Sequence, residues 1–176
     1  MLGKLVALFL LVSAILAAGA LYYLQVYWFY AEVTPAPGQD VLLMPLNGEM
    51  PEPVSYADFT AIDADSSPIR YRACFTTTES LDRLRATFVE VESVTPRNAP
   101  GWFDCFDAES LGRELEAGTA TAFLSIKNVH YGVDRITAIS RGGNGYVWHE
   151  LNDCGSKAYD GTVVGEECPP RPAPES

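Results

Sequence analysis

Val133-Asp-Arg-Ile-Thr-Ala-Ile-Ser-Arg-Gly-Gly-Asn-Gly-Tyr-Val-Trp-His-Glu-Leu151 is the stretch whose reading decides the fold. Two runs rich in Ile, Val, Thr and aromatic residues, 133–140 and 146–151, flank Arg141-Gly-Gly-Asn-Gly145. Glycine and asparagine tolerate the positive φ that tight hairpin turns require, so the segment reads as two antiparallel strands. If the turn takes all of 141–145, His149 faces Thr137 and lies well away from His130, the only other histidine. No two-histidine metal site follows from that placement.

Working outward, residues 119–127 have the same composition and supply another strand, and 157–164 a shorter one. Upstream, Ile69, Tyr71, Ala73 and Phe75 alternate with Arg70, Arg72 and Cys74, the pattern of a half-buried strand. Thr76-Thr-Thr-Glu79 then has the form of a capping box, and Leu81, Leu84 and Phe88 follow at helical spacing, predicting a helix over about 78–90. Asp107 can cap a second helix that carries Leu111 and Leu115 and stops at Gly118. Asp40-Val-Leu-Leu-Met-Pro-Leu46 is a further short strand, and 95–106 is irregular. The expectation is an α+β domain over 40–168, a mainly antiparallel sheet with two helices on one side, followed by a disordered proline-rich tail over 169–176.

The other end of the chain is of a different kind. Residues 1–31 contain one charge, Lys4, and the 27 uncharged residues after it end in Tyr22, Tyr23, Tyr27, Trp28, Phe29 and Tyr30. As a helix this run is about 40 Å long, enough to cross a hydrocarbon core of about 30 Å and place its aromatics in the headgroup layer. Lys4 precedes the run, whereas Glu32, Asp40 and Glu49 follow it with no basic residue until Arg70. The positive-inside rule then leaves the N-terminus cytoplasmic and 32–176 outside. Ala18-Gly19-Ala20 has the small-x-small form of a signal-peptide cleavage site, but cutting there leaves ten apolar residues at a new N-terminus. An uncleaved signal anchor accounts for them. Residues 32–39, with Pro35, Pro37 and Gly38, read as a linker that separates anchor from domain.

All 23 acidic residues and 11 of the 12 basic ones lie beyond residue 31, a net charge of −12 for the exported part. Such a surface repels phosphate backbones, which argues against nucleic acid as a partner. Cys74, Cys105, Cys154 and Cys168 form no C-x-x-C pair and lack zinc spacing. In an oxidising compartment they read as two disulfides; of the three connectivities that four cysteines allow, Cys74–Cys105 with Cys154–Cys168 is favoured, since each then closes a moderate loop within one half of the domain.

Few residues suggest chemistry. Asp63-Ala-Asp65-Ser-Ser-Pro68 gathers carboxylates and hydroxyls as a hard cation requires, but Pro68 and Cys74 stand where a calcium loop needs glycine and glutamate. An Asx turn that starts the next strand is the plainer reading. Arg70 and Arg72 share a strand face and can fork around an anion or pair with Asp63 or Asp65. There is no G-x-S-x-G elbow and no glycine loop ahead of a helix, so neither a catalytic serine nor a bound cofactor is indicated. Asn98-Ala-Pro-Gly-Trp-Phe-Asp-Cys-Phe106 carries Trp102 and Phe103 either as a loop packed on the sheet and stapled by Cys105, or as a patch for a partner protein.

With Ile62-Asp-Ala-Asp-Ser-Ser-Pro-Ile-Arg-Tyr-Arg-Ala-Cys-Phe75, that stretch behind a single anchor resembles an uncharacterised family of small exported proteins from alphaproteobacteria. The resemblance implies a Gram-negative periplasm and brings no activity with it. Members are sometimes labelled histidine kinases, a label to which this chain, without a dimerising histidine helix, lends nothing. Two functions compete. One is an inner-membrane-anchored periplasmic module that binds another envelope protein without catalysis. The other is a small enzyme or small-ion binder centred on Asp63, Asp65, Arg70 and Arg72.

Overall fold

A computed structural model of the chain describes residues 2–48 and 50–170. The apolar run forms helix α1, Leu2–Tyr23, continued by a π-helical turn, Leu24–Trp28. None of its side chains is buried against the protein. A 27-residue rod that is apolar all round is long enough to cross a membrane, and a signal sequence has the same form.

The domain is built on a six-stranded antiparallel sheet. In chain order its strands are β1 Ala31–Glu32, β4 Ala57–Asp63, β5 Arg72–Thr76, β6 Ala120–His130, β7 Val133–Ser140 and β8 Asn144–Leu151, arranged β1-β4-β5-β8-β7-β6. A small hairpin, β2 Leu42–Leu43 with β3 Glu52–Pro53, packs beside it. The helices are α2, Leu81–Thr87, and α3, Ala108–Glu116. The chain is thus α+β with a mainly antiparallel sheet, as its periodicities indicate.

The helices do not share a side. One core joins Leu81 and Leu84 of α2 and Val41 and Leu43 of the small hairpin to Ala73, Phe75, Phe123, Ile139 and Val147. The other joins Leu111 of α3 and Phe106 to Cys74, Ala120, Ala122, Ile136, Ala138 and Trp148. These sets alternate along each central strand, so they occupy opposite faces of the sheet. β5 is therefore buried on both faces instead of half-buried, and its polar-looking side carries Arg72 and Cys74 beneath the irregular segment after α2.

Three boundaries depart from the sequence reading for local reasons. The cap of α2 is Ser80, whose side chain accepts from the Arg83 amide, while Thr77 accepts from the Glu79 amide one step earlier. The helix ends at Thr87 because Phe88 and the residues after it turn extended, Val89 and Val91 bonding to Met44 and Ala122 across the β6 edge. The β7–β8 turn uses only Arg141, Gly142 and Gly143, with Gly143 at φ +82°, so the register pairs Arg135 with His149 and Phe75 with Gly145. Thr137 faces Val147 instead. Residues 157–164 contribute one isolated bridge, Lys157 to Val163, and no further strand. The expected tail falls largely outside the described residues, which end at 170.

Residues 32–39 are not a free spacer. Ala31 and Glu32 pair with Asp63 and Ile62, and the Val33 amide donates to the Ala61 carbonyl at 2.9 Å. Asp40, buried, closes the bend by accepting from the Ala36 amide at 2.7 Å and from the Tyr56 hydroxyl. Both expected disulfides, Cys74–Cys105 and Cys154–Cys168, are formed.

Candidate functional site

Arg72 is 4 % exposed, and its guanidinium is held by main-chain carbonyls: Nε by Arg97 at 2.8 Å, Nη1 by Ile69 at 2.9 Å and Tyr71 at 2.6 Å, Nη2 by Asn98 at 3.1 Å. It also lies 5.7 Å from the centroid of the Phe106 ring. Burial pulls its pKa down to about 10, the neighbouring Arg97 acting the same way while Tyr30 and Asp63 oppose. It stays protonated at neutral pH and ties the 97–98 segment to the start of β5. Among the described residues, neither Arg72 nor Arg70 makes an ion pair with Asp63 or Asp65. Asp63 accepts from the Ala64 amide at 2.8 Å, Asp65 is exposed, and Arg70 lies 5.5 Å from the centre of the Tyr30 ring. The carboxylates and guanidiniums that looked like one site in the sequence thus have separate engagements.

A second polar group was hidden by the register. His149 is 1 % exposed; its Nε2 lies 3.0 Å from Arg135 Nε, and its Nδ1 lies 2.6 Å from the Pro68 carbonyl. Because the guanidinium can only donate, Nε2 accepts and Nδ1 carries the proton. The ring stacks on Tyr71 at 4.9 Å, with Arg135 over the other ring at 4.3 Å. His130 is 5.7 Å away, edge-on. The two histidines are neighbours after all, because the shorter turn slides β8 by two residues. Desolvation lowers the His149 pKa to about 4, against the bond to Pro68 and helped by Arg135, so the ring is neutral at ordinary pH. Tyr71, buried beside it, rises to about 12. No group of three His, Cys, Asp or Glu side chains able to hold a metal occurs among the described residues.

The remaining candidates meet the N-terminal apolar helix. The loop before Cys105 projects Trp102 toward the π-helical turn, where its indole Nε1 donates to the Val26 carbonyl at 2.8 Å. Carbonyls in the last turn of a helix lack intrahelical donors, so a side chain 76 residues later caps this one. Trp102 stacks on Tyr27 at 6.2 Å, meets Tyr30 edge-on at 6.0 Å and touches Phe103 at 6.3 Å, while Tyr27 continues the stack to Tyr23. Beside it lies a groove of about 440 Å³ between the β1–β4 edge and the 102–105 loop. Phe59, Val33, Trp102 and Phe103 give it apolar walls; Glu32 and Asp104 give it acidic ones. Thr60 Oγ1 lies 3.6 Å from Cys105 Sγ in its wall, so the Cys74–Cys105 bond holds the loop where it frames the groove.

The chain belongs to the family of unknown function DUF6446, which matches residues 41–169. That stretch contains Trp102 and all four cysteines but not the N-terminal helix or β1. No curated protein and no solved structure matches the chain.

Proposed function

We propose that this chain is a single-pass inner-membrane protein with a cytoplasmic N-terminus and a periplasmic domain, and that the domain is a non-enzymatic interaction or assembly module for another envelope protein. The observation that carries the reading is the hydrogen bond from Trp102 to Val26, with its aromatic stack. A domain that needs only a tether gains nothing from gripping the end of its anchor; one that must present a surface at a set height gains an orientation. The surface so presented is the groove beside Trp102, whose apolar walls and acidic rim suit an apolar, basic segment of a protein in the same membrane. Two disulfides support an oxidising compartment, and Lys4 ahead of the anchor supports the orientation.

Placing a photoreactive benzoylphenylalanine at Asp104 in the full chain and irradiating native membranes tests the reading. A discrete protein adduct, lost when Phe59 is changed to Asp, is expected. Absence of any protein adduct overturns it. The rival, a small-ion binder or enzyme at Asp63, Asp65, Arg70 and Arg72, has less support because Arg72 is already filled by carbonyls. A melting temperature raised by phosphate, citrate or calcium in the wild type but not in Arg70→Ala restores it.

A further inference from the structure

We infer that Trp102 and its loop form a second membrane contact: the indole belongs to the interfacial aromatic belt of the anchor, so the domain lies on the lipid surface instead of standing off from it. The inference rests on the anchor being retained, as proposed above.

Chain connectivity sets the depth. Twenty helical residues counted from Leu5, the first after the snorkelling Lys4, span about 30 Å and reach Leu24, the thickness of a hydrocarbon core. Val26 then sits about 3 Å beyond the acyl boundary, in the headgroup layer. Trp102 touches that carbonyl and the Tyr27 ring, so its indole is held at the same height. Tyr22 and Tyr23, which also contact Tyr27, and Tyr30 complete a belt in which one member comes from the folded domain. Tryptophan suits this layer because its apolar face and its N–H are both satisfied there. Here the N–H is used on Val26 and one ring face on Tyr27, and the exposed part of the half-buried indole remains for the lipid side.

Lipid is the occupant because a side chain held at that height beside a single membrane-spanning helix meets the headgroups and the upper acyl chains. The domain's charge of −12 makes electrostatic adhesion to anionic headgroups unfavourable, so the contact is aromatic and operates on neutral phosphatidylcholine. It also limits the partner at the groove. A segment that reaches a groove bounded by Trp102 must approach along the membrane plane.

The test uses the full chain, labelled with 5-fluorotryptophan and reconstituted in phosphatidylcholine nanodiscs. Its three tryptophans, Trp28 in the anchor, Trp102 in the loop and Trp148 in the core, give three fluorine resonances, assigned by Trp28→Phe and Trp102→Phe. A nitroxide on a shallow acyl carbon should broaden Trp102 to the same degree as Trp28 and leave Trp148 sharp. Broadening of Trp102 by a water-soluble gadolinium chelate, with Trp28 alone answering the lipid nitroxide, overturns the inference and leaves the anchor reading standing. Failure of Trp28 itself to answer the lipid nitroxide overturns both.

Discussion

His149 shows how little of a residue's chemistry is decided by its name. Both ring nitrogens are engaged in the folded state, and burial holds its pKa near 4 against about 6.5 in an unfolded chain. Below pH 6.5 the unfolded chain therefore takes up a proton that the folded one refuses, and stability falls as pH drops from about 6.5 to about 4. The loss attributable to this ring approaches about 3 kcal/mol at the lower end. Denaturant titrations of the full chain in detergent at pH 7.0 and 4.5 should show that loss, and His149→Phe should shrink the difference while lowering stability at pH 7. Equal wild-type stability at both pH values would show that the ring is not held neutral. Arg72 makes the complementary case of a buried cation with four carbonyl acceptors. Arg72→Met should cost about 2–4 kcal/mol by leaving those carbonyls unpartnered, and Arg72→Lys should recover little, because an ammonium cannot reproduce the planar fork. A lysine variant that melts with the wild type would refute the cage.

Among the elements, the β7–β8 hairpin explains both what was legible and what was not. Strand type, turn composition and the two helices were readable because period-2 and helical spacings and the caps at Asp107 and Gly118 are local signals. Register was not, since Arg141-Gly-Gly-Asn-Gly145 admits a loop of five residues or of three, and only the whole sheet selects the shorter one. In that register Gly145 lies beside Phe75, whose ring comes so close that an added Cβ would stand 2.1 Å from it. Gly145→Ala should then cost about 1–3 kcal/mol by overpacking, and Phe75→Leu in the same chain should recover part of that loss in a double-mutant cycle of melting curves. Independent, additive effects would place the ring elsewhere. The same limit hid the neighbouring histidines and the two-sided burial of β5, since sequence alternation shows which residues share a face but not what covers the other. Asp63, Asp65, Arg70 and Arg72 looked like a cluster because they are near in sequence; the partners of Asp63, Arg70 and Arg72 are a backbone amide, the Tyr30 ring and main-chain carbonyls that no local pattern announces.

At the scale of the whole molecule, two covalent bonds and one hydrogen bond divide the work. Cys74–Cys105 spans 31 residues, joins β5 to the loop that carries Trp102 and lies against the second core, so replacing both cysteines by Ala should cost about 3–4 kcal/mol. Cys154–Cys168 closes 14 residues of mostly exposed chain after the last strand. Its removal should raise protease sensitivity of that segment with little change in melting temperature. Trp102 then decides whether the N-terminal helix and the domain move as one body. Nitroxides introduced through ketone-bearing side chains at Leu10 and Arg141 of the full protein in nanodiscs report this directly by double electron–electron resonance. The account predicts one narrow distance distribution for the wild type and a broad one for Trp102→Ala; a broad distribution in the wild type would contradict it.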